Sequence, residues 1–113
     1  MRYAMLICID ETEVVSHEEA VRRSDAFDAF AARAGARGML LGGERLRPTA
    51  TATSVRVSNG DVVIADGPFA ETKEQMGGFF LVECKDLDEA IALAAELPAA
   101  EYGTIEVRPV WER

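Results

Sequence analysis

Apolar positions along this chain alternate between two periods. In residues 2–9, Tyr3, Met5, Ile7 and Ile9 fall on one side of a strand and Ala4, Leu6 and Cys8 on the other. Both sides are apolar, the pattern of a strand covered on both faces. Ser16 followed by Glu19 is the Ser-x-x-Glu signature of a capped helix start. From there to about Ala34, the residues Ala20, Phe27, Phe30, Ala31 and Ala34 recur at three- and four-residue spacing, opposite Glu18, Arg22, Asp25 and Arg33. This predicts a helix with one core face, stopped by Gly35.

Residues 38–46 resume strand character through Met39, Leu40 and Leu41, with Gly42 and Gly43 marking a bend or bulge before Pro48. Residues 49–53 read as a small-residue connection. Residues 54–58 alternate with period two, Asn59-Gly60 is a strong hairpin-turn signal, and 61–65 returns. The polar stretch 71–75 predicts a single helical turn. Gly77-Gly78 opens a strand over 79–84, apolar on both faces apart from Glu83. Asp86 caps a second helix over 87–97, with Leu87, Ala90, Ile91 and Ala94 inward and Pro98 ending it. Residues 104–111 complete the pattern as a strand, with Ile105, Val107 and Trp111 on one face and Glu106, Arg108 and Val110 on the other.

Without the hairpin the order is β-α-β-β-α-β, so the sequence predicts an α+β, ferredoxin-like fold with an inserted β-hairpin, one domain over 1–113. Two helices cover one face of such a sheet. The other face would carry apolar residues of strands 2–9 and 79–84, which predicts a second copy packed sheet to sheet as a two-fold homodimer.

Composition narrows the function classes. Hydrophobic residues make up 49% and charged residues 28%, the balance of a folded chain. No run of ~18 apolar residues is present, and the short apolar N-terminal stretch leads into Asp10 and Glu11 with no cleavage motif. The expected compartment is the cytoplasm, with no membrane partner. A net charge of −8 without a basic stripe argues against nucleic acid. Cys8 and Cys84 lie in apolar strands far from other ligand residues and read as buried free thiols.

Five residues are candidates for chemistry. Asp66 leaves a strand into the Gly67-Pro68 turn, where it could act as a general base or accept backbone N–H groups of the turn, with Phe69 expected to anchor that turn in the core. His17, at the start of the first helix, is either a neutral base or an exposed cap-region residue. Glu83 and Arg108 are charges within apolar strands. If those strands are neighbours, the two pair across the sheet, either gripping an anionic substrate or bridging subunits. Tyr3 either offers its phenol to the same cleft or packs in the core. Lys73, between Glu71 and Glu74, reads as a solvated loop charge. One histidine with scattered carboxylates makes no metal set, and no phosphate loop, dinucleotide fingerprint or nucleophile elbow occurs, so neither metal nor cofactor is expected.

The run from Val62 to Gln75, containing Asp66-Gly67-Pro68-Phe69 and followed by Gly77-Gly78-Phe79-Phe80, resembles the hallmark of the YCII-related, or DGPF-domain, family. Asp86-Leu87-Asp88-Glu89-Ala90, Glu106-Val107-Arg108-Pro109-Val110, the opening strand and Leu46-Arg47-Pro48 extend the resemblance over nearly the whole chain. It implies a dimeric α/β-barrel-like assembly with a small-molecule cleft between helices, sheet and partner. Family members are mostly bacterial and uncharacterised, some encoded beside extracytoplasmic-function sigma factors and a few lyase-like or dehalogenating. A histidine–aspartate pair is the proposed centre of a shorter branch. Asp66 matches its aspartate, but the helix interior that would carry its histidine holds Ser24, Phe27 and Asp28. Two functions stay open: acid–base chemistry on a small molecule, of lyase or elimination type, with Asp66 as base and Arg108 as anion clamp; or a non-catalytic ligand- or partner-binding module serving a sigma-factor or stress pathway.

Overall fold

In the computed structural model, which describes residues 1–112, the strands are β1 (Arg2–Ile9), β2 (Leu40–Arg45), β3 (Thr53–Ser58), β4 (Asp61–Asp66), β5 (Gln75–Glu83) and β6 (Thr104–Pro109). The helices are α1 (His17–Ala36), α2 (Leu87–Ala95) and the short α3 (Ala99–Tyr102). Strands β2-β5-β1-β6 form one antiparallel sheet in that order, and β3-β4 form a separate hairpin. The four-stranded order is compatible with the ferredoxin-like arrangement.

Alternation in β1 and β5 defines the core. Tyr3, Met5 and Ile7 of β1 and Phe80 and Val82 of β5 are buried against Phe30 and Ala34 of α1 and Ala90, Leu93 and Ala94 of α2. The Phe80 ring stacks on Phe27 with centroids 4.6 Å apart and meets Phe30 at 5.0 Å. On the opposite face, Ala4, Leu6, Cys8, Phe79 and Leu81 are half-buried, with no second layer over them among the described residues.

Helix α1 starts as its sequence requires: Ser16 Oγ accepts from the Glu19 N–H at 3.0 Å. The Glu19 carboxylate, however, turns to Arg22 and Arg23 instead of back to the cap. The helix passes through Gly35 and ends at Ala36, because Gly38, just past the Arg37 cap, supplies the left-handed residue at φ +72°. Met39 N–H then bonds Ala34 O and Gly38 N–H bonds Gly35 O, both at 3.0 Å, completing a Schellman ending. Ser16→Ala is expected to cost about 1 kcal/mol in urea denaturation.

Helix α2 is capped by Asp86, whose carboxylate accepts from Glu89 N–H at 2.9 Å. Its inner face differs from the sequence expectation. Ala90, Leu93 and Ala94 are buried, followed by Leu97, while Leu87 and Ile91 are about half exposed. Residues 90–95 are all apolar, so periodicity offers two stripes there, and the one that buries both Leu93 and Leu97 is taken. The 71–75 stretch forms no helical turn. Thr72 Oγ1 donates to Glu74 O at 2.6 Å and Gln75 Nε2 to Ala70 O at 3.1 Å, local bonds that compete with helix formation. Strand β6 ends at Pro109, and Trp111, expected to share a strand face with Ile105 and Val107, lies beyond it and is 89% exposed.

The Gly42-Gly43 bulge is present, the β2–β5 register shifting between Leu40 and Gly42. At Gly43 a Cβ would lie 2.5 Å from both the Phe79 carbonyl oxygen and a Phe80 ring carbon. Gly43→Ala is therefore expected to destabilise by about 3 kcal/mol, checked by thermal unfolding. Among the described residues, no helix is long and apolar enough to cross a membrane.

A candidate ligand cavity between two helices and the sheet

One helical stripe of α1 sends Ala20, Arg23, Ser24 and Phe27 toward the end of the sheet where β1 finishes. Ile7 and Ile9 rise from β1 beneath them, and the Leu97-Pro98-Ala99 corner with Tyr102 closes the far side. Pro98 ends α2 and lets α3 turn Tyr102 inward. The result is a mainly apolar cavity of about 190 Å³, with the exposed Arg45 at its rim.

Four polar side chains border it, and their partners differ. Arg23 is neutralised: its guanidinium meets Glu13 at 3.0 Å and Glu19 at 3.2 Å, and lies 3.7 Å from the centroid of the Tyr102 ring. The Glu13 bond, followed by its smaller Glu19 counterpart, raises the Arg23 pKa against burial. That stacked cation fixes the Tyr102 ring. Arg45, by contrast, donates to Ser24 Oγ and approaches the Phe27 ring at 5.6 Å, but has no carboxylate in ion-pair contact among the described residues. Because Ser24 Oγ accepts from Arg45, its own proton remains available for another acceptor.

Burial is the main cause that raises the Tyr102 pKa, with Glu19 and Glu13 adding to it and Arg23 opposing. Tyr102 is thus a phenol donor throughout the neutral range. A pKa raised in the folded state gives stability that is complete below the ordinary tyrosine value and lost as pH rises through the folded one. Spectrophotometric titration should show both tyrosines of the chain ionising above the ordinary value of about pH 10, with folding stability falling over that same alkaline window. The second tyrosine, Tyr3, is raised in the same direction, again by burial first.

Away from the cavity, the Asp66-Gly67-Pro68 turn sits at the foot of the β3–β4 hairpin. Gly67 N–H donates to Ala52 O at 2.7 Å, and Ser54 Oγ donates to Gly67 O at 2.8 Å. Gly67 takes φ +92°, which glycine accepts without strain.

The family model for the YCII-related domain matches residues 1–113. The chain belongs to the YCII-related family. An uncharacterised protein of Rhizobium meliloti (strain 1021) is 42% identical to it over 114 residues, covering 97% of this chain and 92% of the relative.

Within this YCII-related domain, none of the five residues singled out by sequence lines the cavity. The Asp66 carboxylate is exposed and accepts no hydrogen bond among the described residues; its turn is closed by Ala52 and Ser54 instead. His17 is exposed at the first position of α1. Strand β1 lies between β5 and β6, which separates Glu83 from Arg108. Glu83 meets the Met1 amino group at 2.6 Å, and Arg108 lies 3.6 Å from Glu106. Tyr3 is 2% exposed, a core side chain whose hydroxyl is 3.7 Å from Met1 Sδ. Phe69, expected in the core, is 82% exposed. Cys84 is buried and Cys8 half-buried; both are free thiols, with burial the main cause raising their pKa values.

Sequence reasoning missed Arg23, Arg45 and Tyr102. One signal was present: the YCII-related resemblance points to the α1 interior at Ser24 and Phe27, and both line the cavity. Tyr102 was hidden in a stretch after Pro98 that carries no clear period.

Proposed function

We propose that this YCII-related protein binds a small anion with a flat apolar body, of the single-ring aromatic carboxylate class, in the cavity between α1 and α3. The observation that carries the reading is the Arg45 guanidinium, which meets no carboxylate among the described residues, at the mouth of an apolar cavity. Arg45 takes the carboxylate, Ser24 and Tyr102 donate to it, and Phe27 with Ile7 and Ile9 packs the ring. The size fits: an apolar cavity of ~150 Å³ accommodates benzene, and this one, with polar groups at its border, is about 190 Å³. Of the two functions raised by the family resemblance, binding is favoured over elimination chemistry, because the residues lining the cavity include no carboxylate and no imidazole to serve as base. The protein works as a cytoplasmic homodimer in this reading, a second copy covering the half-buried Leu6, Phe79 and Leu81.

A thermal-shift series with benzoate, benzamide and acetate tests the ligand class. Benzoate should raise the melting temperature, since a ligand at 100 times its Kd stabilises by about 2.7 kcal/mol. Benzamide lacks the charge and acetate lacks the ring, so each should give a much smaller shift. Equal shifts for benzoate and acetate would remove the aromatic requirement, and no shift with any of the three would sink the proposal.

A further inference from the structure

The β3–β4 hairpin leaves the body of the protein as an arm. Its register pairs Val55 with Ile64 and Val57 with Val62, placing four aliphatic side chains on one face. Those side chains are 61%, 65%, 70% and 64% exposed in that order. Of the twelve strand residues only Ser54 is better than exposed. The arm also enlarges the molecule: the radius of gyration is 15.8 Å, against about 13 Å for a compact chain near this length. A two-stranded hairpin alone in water is marginally stable at best, yet this one carries a contiguous aliphatic ladder into solvent. Phe69 extends the same surface, bordering a shallow groove with Thr53, Ser54, Val55 and Arg56.

We infer that the arm is a clasp, whose aliphatic face packs on a second copy of this chain. The inference rests on the homodimer reading and assigns it a structural element. What the arm lacks, the sheet supplies. The open face of the four-stranded sheet presents Ala4, Leu6, Cys8, Phe79 and Leu81, apolar and half-covered. Residues 53–66, Phe69 and those five make about twenty residues from each chain, the number a stable interface uses on one side. Neither surface reaches that size alone. Two-fold symmetry lets each arm lie on the other copy, so one operation makes two equivalent contacts and covers the patch of each copy. The clasp also makes the Asp66-Gly67-Pro68-Phe69 turn a hinge piece: it sets the angle at which the arm leaves, and Phe69 is exposed because it belongs to the contact.

Sedimentation of the full chain tests this. The unaltered protein should run as a dimer at micromolar concentration. Val57→Asp combined with Ile64→Asp should weaken dimerisation at least ~30-fold, as loss of an interface centre does, and leave a monomer with unchanged far-ultraviolet circular dichroism. An altered protein that dimerises as tightly as the original overturns the clasp and leaves the dimer standing. An original protein that is monomeric overturns both. If the altered protein fails to fold, hydrogen exchange on the unaltered chain decides. Amides of 53–66 protected at high concentration and released on dilution support the clasp; exchange there that ignores concentration overturns it.

Discussion

Phe80→Ala is expected to remove about 3–5 kcal/mol of folding free energy. Phe80 is 1% exposed at the centre of the sheet's inner face, on a strand with neighbours on both sides. Its ring contacts two rings of α1, Phe27 at 4.6 Å and Phe30 at 5.0 Å. Truncation therefore forfeits the transfer free energy of the ring, empties a volume the sheet cannot collapse into, and ends two aromatic contacts of about 0.5–1.5 kcal/mol each. These terms overlap, and the range for Phe→Ala already contains them. Small domains hold only ~5–15 kcal/mol in total, so the altered protein should unfold at much lower urea with an unchanged slope. Near this chain length the melting temperature falls by roughly 4 °C for each kcal/mol. Phe80→Leu, which keeps most of the volume, should cost about 1–2 kcal/mol. A Phe80→Ala loss below 1 kcal/mol would mean that α1 does not rest on β5 as described.

The same residue shows why much of the fold was legible. Phe80 alternates with Val82 toward the helices, and the two-residue period states this without reference to the rest of the chain. Asn59-Gly60 is equally local: the turn needs two residues at positive φ and takes Asn59 at +50° and Gly60 at +81°. Ser16 and Asp86 cap helices through bonds three residues long. Where local chemistry left more than one solution, packing decided. Helix α1 had two glycines able to stop it and used Gly38, the one placed for the Schellman bonds. Helix α2 had two apolar stripes and buried the one with Leu93 and Leu97. Trp111 lies past the pairing: Val110 N–H makes a last bond to Arg2 O at 2.9 Å, and Arg2 is where β1 begins.

The candidate site was mostly illegible, for a topological reason. Ser24, Arg45 and Tyr102 come from α1, β2 and α3, and only the finished sheet order brings them to one end. The Glu83–Arg108 pairing depended on that same order, and β1 intervened. The sign that an arginine is unpaired is likewise invisible in sequence. Arg23 and Arg45 are alike as letters, yet Glu13 and Glu19 claim the first and no carboxylate among the described residues claims the second.

That difference sets the second large effect. Arg45→Ala should weaken benzoate binding about 10–100-fold, the loss of a charge-assisted hydrogen-bonded contact of ~1.5–3 kcal/mol, measured by calorimetry. Folding stability should change by less than ~0.5 kcal/mol, because Arg45 is exposed and releases no ion pair. Arg45→Lys should recover part of the affinity, since a point charge persists while the two-pronged geometry is lost. Benzamide binding should be nearly indifferent to both changes. That contrast separates an anion contact from general damage: if benzamide weakens in step with benzoate, the cavity has been deformed and Arg45 supports its wall. Arg23→Ala should behave in the opposite way. It strips Tyr102 of its stacked partner and takes the shared cation from Glu13 and Glu19, so it should lower stability and weaken both ligands together. An Arg45→Ala protein that binds benzoate as well as the original would take the anion partner out of the site and the proposed ligand class with it.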